Sequence, residues 1–384
     1  MARGLKKLYK QRTIDDSLGL AFAKLFSLSA RKRDLPKPIK KIALIKLSGI
    51  GDAILTLPLL NIAKEEGFNV TVITAKETYP VFQDQPLIDD LILFDIKKMN
   101  PLKIMKFINE TKKLQIDVAI DTSQTANFSA MLSRSISKSC IGFSNPKTKS
   151  RNKLYDNAIQ QDPNRHMVFN YMDLAAPLGI TYDENETTLF KLAYSEEDVN
   201  KLDNLKINGN LIGIHPFSVF PYRNWPKENW AKTIEHLLSS SDARIILLGS
   251  KEEKENVDEL CKLIDKKNHD RILNLAGELN IKELFALMPR LRMFLAYDGG
   301  LMHIAAAQGV PTLGLFGTDT PKRYAPFNAK SAYVYKDLPG HPCIKPYLKE
   351  FNPCGKCFKA INVDEVIGKI KFLDNINQSK HKEA

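Results

Sequence analysis

A glycine-containing turn near residue 50 carries the first residues whose types and spacing suit chemistry. It has the sequence SGIGD at residues 48–52 and directly follows the apolar run 41–47, which we predict to be a strand. Gly49 and Gly51 permit a tight turn, and Asp52 stands where a helix is expected to begin. A carboxylate in this place is suited to act as a general base; the alternative is that Asp52 only caps the helix.

A longer polar segment, residues 297–319, follows a later predicted strand. It places six residues of interest at two neighbouring strand ends: Asp298, Gly299, Gly300, His303, Thr318 and Asp319. Backbone N–H groups at the start of a helix bind anions, so the two glycines indicate a pyrophosphate site. The alternative is that His303 is an ordinary buried histidine and that the glycines only form turns.

A third segment, residues 215–230, leads from a predicted strand ending at His215 to Arg223 and then to Trp225-Pro226. Pro226 suits the first turn of a helix. Arg223 is expected to contact a phosphate, unless it is a plain surface arginine.

The elements that must position these segments alternate between short apolar runs and helical patterns. Two such series occur, separated by a weaker pattern between Tyr182 and Asn210, where Ser195 is expected to cap a short helix. Residues 145–164 are expected to form a polar, basic loop. Because alternating strands and helices form parallel sheets, we predict an α/β fold with two Rossmann-like doubly wound domains facing a cleft.

These segments, in this order, resemble the heptosyltransferases, glycosyltransferase family 9. Members of the family share six short motifs, which correspond here to residues 48–52, 56–58, 298–303, 305–307, 309–312 and 316–319. Residues 121–134 are similar to the family's Asp-x-Gln-Gly stretch, and the resemblance covers roughly residues 39–370. Two departures are Arg223, where the family usually has Lys, and Thr125, where it has Gly.

The resemblance implies a GT-B type glycosyltransferase that works with inversion and without a metal ion or other cofactor. It implies that Asp52 is the general base on the acceptor hydroxyl, and that Arg223 and the Gly299–Gly300 backbone neutralise the leaving diphosphate. Asp298 and His303 would shape the donor site. Thr318 and Asp319 would line its nucleotide side.

The implied acceptor-side residues are Ser48, Gly49, Gly51, Gln124 and Arg134. The implied donor is ADP-heptose and the implied acceptor a lipopolysaccharide core or another glycan. The expected domains are a leader at 1–38, an acceptor-binding domain at 39–200, a nucleotide-sugar-binding domain at 201–362, and a C-terminal helix and tail at 363–384.

Two other functions remain open at this point. A sugar-nucleotide epimerase would share the fold, but it needs a set of acids and histidines that the sequence does not present. A catalytically silent sugar-nucleotide-binding protein is the second alternative, and Asp52 argues against it.

Charge is concentrated at the start of the chain. The 384 residues carry a net charge of +12, and residues 1–40 alone hold eleven Lys or Arg against three Asp. This local excess argues against a nucleic-acid-binding surface. A helix in residues 1–36 would align an apolar stripe flanked by cations, comprising Ile14, Leu18, Ala21, Phe22, Leu25 and Leu28. That pattern is typical of an anchor on an anionic membrane, so we expect a cytoplasmic, peripheral membrane protein; alternatively the helix packs on the N-terminal domain.

Three of the five cysteines lie near the end of the chain, as expected for a reducing cytoplasm rather than a disulfide scaffold. Cys343, Cys354 and Cys357 with His341 have a spacing that is compatible with a zinc site. We predict unligated thiols and no zinc.

Overall fold

The computed structural model describes residues 19–95, 100–146, 148–218, 220–339, 344–345, 350–351 and 355–380. These residues form two compact units. The first extends to Thr187, the second begins at Thr188, and Lys345 and Glu350 group with the first. None of the helices in the described part of the chain is both long enough and apolar enough to cross a bilayer.

Six parallel strands form the sheet of the first unit. They are β1 (Lys41–Lys46), β2 (Asn69–Thr74), β3 (Asp90–Leu93), β4 (Ile116–Asp121), β5 (Ser137–Ser144) and β6 (Asn157–Gln160). Their order is β3-β2-β1-β4-β5-β6. The direction of chain progression reverses between β1 and β4, so the carboxyl ends of these two strands flank the crevice where such sheets bind ligands.

The helices of the first unit are α1 (Leu20–Ser29), α2 (Ile50–Leu55), α3 (Leu57–Glu65), α4 (Tyr79–Phe82), α5 (Pro101–Lys112), α6 (Asn127–Ile136), α7 (Lys149–Asn152) and α8 (Met167–Met172). A 3₁₀ segment, Asp173–Leu178, follows α8. The sequence pattern predicts one helix over residues 53–66, with Pro58 in its second turn, but the structure divides it at Thr56. Pro58 has no N–H to donate, and it is accommodated as the second residue of a new helix, α3.

The prediction that residues 145–164 form a loop was wrong in part, because the segment contains α7 and β6. β6 is a short edge strand in which no residue is fully buried. It therefore lacks the continuous apolar run that identifies a central strand of a parallel sheet.

The second unit repeats the arrangement. Its strands are β7 (Leu211–His215), β8 (Arg244–Leu247), β9 (Ile272–Asn274), β10 (Met293–Tyr297), β11 (Thr312–Phe316) and β12 (Ser331–Tyr335). The order β12-β11-β10-β7-β8-β9 matches that of the first sheet, with the reversal between β7 and β10. β7 and β11 are buried along their whole length.

The helices of the second unit are α9 (Glu196–Asn204), α10 (Lys227–Ser240), α11 (Lys254–Cys261), α12 (Ile281–Leu287), α13 (Gly300–Ala307), α14 (Pro321–Tyr324), α15 (Lys356–Ala360) and α16 (Val363–Lys380). Three 3₁₀ segments span Pro221–Arg223, Lys266–Arg271 and Met288–Arg290, and two short strands span Ile344–Lys345 and Glu350–Phe351. The predicted cap at Ser195 is confirmed, because Ser195 and Asp198 form a capping box at the start of α9.

Candidate active site

Asp52 lies in the first turn of α2, just beyond the carboxyl end of β1. Its Oδ1 atom accepts a hydrogen bond of 2.9 Å from Tyr171 Oη, and its Oδ2 atom lies 3.9 Å from Lys46 Nζ. The Asp52 side chain is 31% exposed, whereas the Lys46 side chain is 6% exposed. The carboxylate is therefore oriented from within the protein and is still open to a second molecule.

Gly49 makes this position of Asp52 sterically feasible. Its φ angle is +78°, a region that residues with a side chain rarely adopt. A Cβ atom at this position would lie 2.8 Å from Asp52 Oδ2. Any other residue at Gly49 would strain the turn and displace the carboxylate.

Lys46, the last residue of β1, is a buried cation beside Asp52. Its Nζ atom also lies 5.6 Å from the centre of the Tyr171 ring. Lys46 and Tyr171 therefore lie close to each other, and both lie close to Asp52. Burial lowers the pKa of the Lys46 ammonium group, although the negative charges of Asp52 and Asp121 oppose this shift. Sequence reasoning missed Lys46; the available signal was a lysine that ends an apolar strand and directly precedes the turn.

Asp121, at the end of the neighbouring strand β4, forms a separate buried network. Its carboxylate accepts hydrogen bonds from Ser129 Oγ at 2.8 Å, Tyr155 Oη at 2.5 Å and the Ser123 backbone N–H at 2.9 Å. Arg151 Nη2 lies 3.7 Å from Asp121 Oδ2, and neither side chain is exposed. Burial raises the pKa of Asp121, although Arg151 and these hydrogen bonds oppose the shift. These buried contacts hold the start of the loop after β4 in place.

The structure brings most of the predicted acceptor-side residues together. Ser48, Gly49 and Gly51 belong to the turn after β1, and Gln124 belongs to the loop after β4. The two strands are adjacent, with Ile45 opposite Asp121. These residues therefore lie at the strand ends that flank the crevice of the first sheet.

Arg134 is the exception, because the structure places it near the opposite edge of this sheet. It lies in the last turn of α6, three residues before the first residue of β5. Its guanidinium group donates to Asp156 Oδ1 at 3.1 Å and to the carbonyl of Leu154 at 2.9 Å. The structure thus does not bring Arg134 together with Asp52, and its contacts give it a role in holding the fold.

The residues of the second unit that were predicted to bind the donor also lie at adjacent strand ends. Ala296 of β10 is opposite His215 of β7, and Tyr297 of β10 is opposite Leu315 of β11. The loops that leave β7, β10 and β11 therefore emerge side by side, and they carry Arg223, Asp298 to His303, and Thr318 with Asp319.

The loop that carries Arg223 is anchored on both sides of this residue. Asn224 Oδ1 accepts a hydrogen bond of 2.6 Å from the Ser218 N–H, and Trp225 Nε1 donates one of 2.9 Å to the Ile361 carbonyl. The guanidinium group lies 5.6 Å from the centre of the Phe220 ring. Arg223 Nε is buried and has no hydrogen-bond partner among the residues that the structure describes. The anchored loop thus presents Arg223, whose Nε–H group is available to a ligand.

Asp298 and Asp319 are both buried to about nine-tenths or more, and the charge of Asp298 acts on Asp319. Burial raises the pKa of Asp319 to about 7, the negative charge of Asp298 adds to the rise, and the positive charges of Arg323 and Arg223 oppose it. Arg323 is itself 2% exposed. Sequence reasoning missed this second arginine, which lies four residues after the end of the last motif.

The loops after β10 and β11 also carry groups that could donate hydrogen bonds to a ligand. α13 begins at Gly300, and its N-cap residue, Gly299, provides no side-chain cap for the first N–H groups of the helix. Thr318 Oγ1 is buried without a hydrogen-bond partner among the described residues. His303, in the first turn of α13, is buried, and its ring lies 6.5 Å from that of Tyr324.

The turn that bears Thr318 packs tightly on the C-terminal part of the chain. A Cβ atom at Gly317 would lie 2.6 Å from Cys357 Sγ and 2.7 Å from the Phe358 ring, so only glycine fits. Cys357 is fully buried on α15. The other members of the candidate zinc group, His341, Cys343 and Cys354, lie outside the described residues.

A buried pair behind the β7 loop was also missed by sequence reasoning. His215 Nε2 lies 3.2 Å from Glu253 Oε2, and both side chains are almost fully buried. The His215 ring packs on Tyr297 with centroids 4.8 Å apart. Burial would raise the pKa of Glu253, but the contact with His215 and the Ser250 N–H bring it below its ordinary value. The pair lies at the ends of β7 and β10, from which the loops with Arg223 and Asp298 leave.

Comparison with known proteins identifies the family to which the chain belongs. The family model of glycosyltransferase family 9 (heptosyltransferase) matches residues 104–350. The chain is 28% identical over 349 residues to the lipopolysaccharide core heptosyltransferase OpsX of Haemophilus influenzae, covering 87% of this chain and 97% of that protein. It is 24% identical to lipooligosaccharide heptosyltransferase 2 of Campylobacter jejuni, covering 84% of this chain and 96% of the relative.

Solved structures share the fold over most of their length. The family 9 glycosyltransferase of Veillonella parvula superposes with a TM-score of 0.74 at 21% identity, and E. coli ADP-heptose lipopolysaccharide heptosyltransferase II with a TM-score of 0.71 at 19% identity. Each comparison covers 88% of this chain and 99% of the other. The predicted fold class and the resemblance are therefore confirmed: this chain belongs to glycosyltransferase family 9, the heptosyltransferases.

Proposed function

We propose that this enzyme transfers a heptose from ADP-heptose to a hydroxyl of a lipopolysaccharide core acceptor, with inversion at the anomeric carbon and without a metal ion. The acceptor is assigned to the first unit and the nucleotide sugar to the second. The names of the relatives supply the donor and acceptor classes. The observation that carries the chemistry is the Asp52 carboxylate, which is fixed by Tyr171 and exposed at a strand end.

Asp52 serves as the general base in a single displacement. It takes the proton of the acceptor hydroxyl as the acceptor oxygen bonds to the anomeric carbon and the bond from that carbon to the diphosphate oxygen breaks. Tyr171 occupies Oδ1, which leaves Oδ2 as the atom that receives the proton. Direct attack from the side opposite the leaving group inverts the configuration, and it requires one base and no nucleophilic side chain.

Lys46 and Gly49 are positioning residues for this base. The Lys46 ammonium group lies 3.9 Å from Oδ2, beyond hydrogen-bond distance, and stabilises the charged carboxylate through space. Gly49 leaves the room that Oδ2 needs. Neither residue needs to touch the sugar.

The donor side must neutralise the negative charge that develops on the leaving diphosphate. Arg223 offers a buried Nε without a partner among the described residues, Thr318 offers a hydroxyl, and the start of α13 offers backbone N–H groups. Fixed donors of this kind are worth most where water is excluded. They take the role that a divalent cation has in other glycosyltransferases, which is why we propose transfer without one.

The proposal is tested by incubating the purified protein with ADP-heptose and a lipopolysaccharide acceptor that lacks core heptose. We expect an acceptor mass gain of one heptose, release of ADP, an inverted anomeric configuration by NMR, and an unchanged rate after EDTA treatment. Nucleotide binding without transfer to any acceptor would indicate a silent binding protein. A rate lost in EDTA and restored by a divalent cation would contradict the metal-independent mechanism.

A further inference from the structure

One buried side chain, Arg151, holds the loop after β4 at both of its ends. Its Nε atom donates a hydrogen bond of 2.8 Å to the Ala126 carbonyl, and its Nη2 atom donates to the Ser123 carbonyl. Its Nη1 atom donates at 2.8 Å to the Phe143 carbonyl on β5. The Ser123 hydroxyl oxygen also accepts a bond of 2.9 Å from the Ala126 N–H, which closes the turn. Gln124 therefore lies in the tip of a turn whose two flanking carbonyls are bound by one guanidinium group.

These three contacts require an arginine. The Arg151 and Asp121 side chains are both fully buried, and Arg151 Nη2 lies 3.7 Å from Asp121 Oδ2. Buried charges of this kind cost free energy unless they are paired and hydrogen-bonded. A guanidinium group is a planar fork with five N–H donors, whereas a lysine has three donors on a single nitrogen and cannot reach three separate carbonyls at once. Tyr155 completes the site, because its ring centre lies 5.0 Å from the guanidinium carbon and its hydroxyl donates to Asp121.

The loop that Arg151 holds follows the strand next to the proposed base. β4 pairs with β1, and the Thr122 hydroxyl donates a hydrogen bond of 2.8 Å to the Ile45 carbonyl. The next residue of β1 is Lys46, whose Nζ atom lies 3.9 Å from Asp52 Oδ2. The tip of the loop is only half-buried. The loop therefore presents a partly exposed tip at the edge of the sheet to which the acceptor is assigned.

The leader helix, α1, packs on the segment that follows α7. Ala23 of α1 is fully buried and belongs to one buried cluster with Tyr155. Just beyond the helix, Arg33 donates from Nη2 and from its backbone N–H to Asp156, each at 2.8 Å. The leader helix therefore packs on the N-terminal domain, which is the alternative stated for it, and it helps to hold the residues next to Arg151. Residues 1–18, which include the start of the predicted apolar stripe, lie outside the described residues, and anchoring on a membrane stays a prediction.

We propose that Arg151 is a positioning residue for the acceptor: by fixing the carbonyls on both sides of the loop tip, it presents the Gln124 amide to a hydroxyl of the acceptor glycan. A side-chain amide both donates and accepts hydrogen bonds, which matches a sugar hydroxyl. Because the turn is ordered before binding, the acceptor does not lose affinity by ordering it. The inference rests on the proposed function for the class of acceptor, and it concerns binding of the acceptor and not the transfer step.

Three variants of the full chain test this role. Arg151→Lys keeps a positive charge beside Asp121 but loses the planar fork. Asp121→Asn/Arg151→Met removes both charges, a change that buried pairs often tolerate, and it serves where the single substitution prevents folding. Gln124→Ala removes the amide from a partly exposed position, where a substitution disturbs folding little. Thermal melting checks that each variant is folded.

The matched control is Arg271→Lys. Arg271 makes the same kind of contact in the second unit, where it donates to the carbonyls of Leu238, Ser241 and Ala243 at 2.8, 2.6 and 2.7 Å. It directly precedes β9 and therefore lies at the amino ends of the strands, away from the loops that leave their carboxyl ends. The control is expected to lower the melting temperature without changing the affinity for either substrate.

The probe is the deacylated oligosaccharide of a lipopolysaccharide that lacks core heptose, and its binding is measured by calorimetry without the donor. We expect both Arg151 variants to bind it roughly 10- to 100-fold more weakly, and to bind ADP within about twofold of the wild type. In the transfer assay the KM for the acceptor should rise by the same factor while kcat stays nearly unchanged. Because Arg151 acts through Gln124, Gln124→Ala should weaken binding in the wild type and cost nothing further in the Arg151→Lys background.

A folded Arg151 variant or Gln124→Ala that binds the oligosaccharide as the wild type does would overturn the proposal. So would additive losses from the two substitutions, or a control variant that loses as much affinity as Arg151→Lys. A wild type that binds the oligosaccharide but transfers no heptose would refute the proposed function and leave this comparison of affinities intact. A wild type that transfers heptose with Gln124→Ala at full acceptor affinity would refute the role of the loop alone.

Discussion

The two units share one strand order, and each sheet has a crevice at the corresponding place, but the side chains at the two crevices differ. At the crevice of the first sheet, one carboxylate is held by a phenol next to a buried ammonium group, an arrangement that suits proton transfer. At the crevice of the second sheet, two arginines, two buried acids and an uncapped helix start come together, an arrangement that suits a diphosphate. The loops after the strands, and not the strand order, therefore decide what each unit does.

The sharpest way to separate the two units is Asp52→Asn. We expect the turnover number to fall by about 10²–10⁴, because the base on the acceptor is lost. The affinity for ADP, measured by calorimetry, should be unchanged, since the donor residues belong to the second unit. Glu66→Gln removes an exposed carboxylate of the same unit and should change neither quantity. Near-normal turnover of Asp52→Asn would show that Asp52 has only a structural role.

The complementary change in the second unit is Arg223→Ala. A lost charge-assisted hydrogen bond to phosphate is worth about 1.5–3 kcal/mol, so ADP should bind roughly 10- to 150-fold more weakly. The matched control is Lys227→Ala, which removes a nearby cation that pairs with Glu259 on the surface. If Arg223→Ala and Lys227→Ala bind ADP alike, Arg223 does not contact the diphosphate.

Tyr171→Phe tests whether the base depends on its hydrogen bond. The ring and its packing remain while the donor to Asp52 Oδ1 is lost, so we expect the turnover number to fall roughly tenfold, which corresponds to about 1.4 kcal/mol. The Michaelis constant for the donor should stay within about twofold of the wild type. A variant with unchanged turnover and lower melting temperature would assign Tyr171 a purely structural role.

The smallest expected effect concerns Asp319 and pH. With a pKa of about 7 in the folded protein, Asp319 gains its negative charge as the pH rises from 6 to 8. That charge opposes diphosphate binding, so Asp319→Asn should bind ADP as the wild type does at pH 6. At pH 8 the variant should bind roughly fivefold more tightly, from an interaction of about 1 kcal/mol. Ionisation of the nucleotide itself is common to both proteins and cancels in the ratio. A pH-independent ratio would show that Asp319 does not face the diphosphate.

Much of the fold was predictable because short apolar runs in the sequence indicate buried strands. β1, β7 and β10 are buried apolar runs that end in polar turns, and a parallel sheet places such turns along one edge. β6 and β12 were not predicted. Both are edge strands, no residue of β6 is fully buried, and only Ala332 and Val334 of β12 are. The break between α2 and α3 depended on a single proline.

The candidate site was predictable only in its motif residues. Tyr171 is separated from Asp52 by 119 positions along the chain, and Arg151 interacts with Asp121 from a segment predicted to be loop. Contacts at such separations leave no trace in local spacing. The structure does not bring Arg134 together with Asp52 for a similar reason. Its place in a motif did not reveal that it lies at the far end of α6, near the start of β5.

Because Gly317 and Cys357 are in close contact, the reactivity of the Cys357 thiol reports on opening of the turn after β11. Cys357 is fully buried, and its Sγ fills the space beside Gly317, so an alkylating reagent has no room to react in the closed structure. Reaction must await a local opening in which α15 separates from the turn after β11. The rate at which Cys357 is alkylated then measures how often that turn opens, much as amide exchange does. A nucleotide that binds the turn would lower this rate.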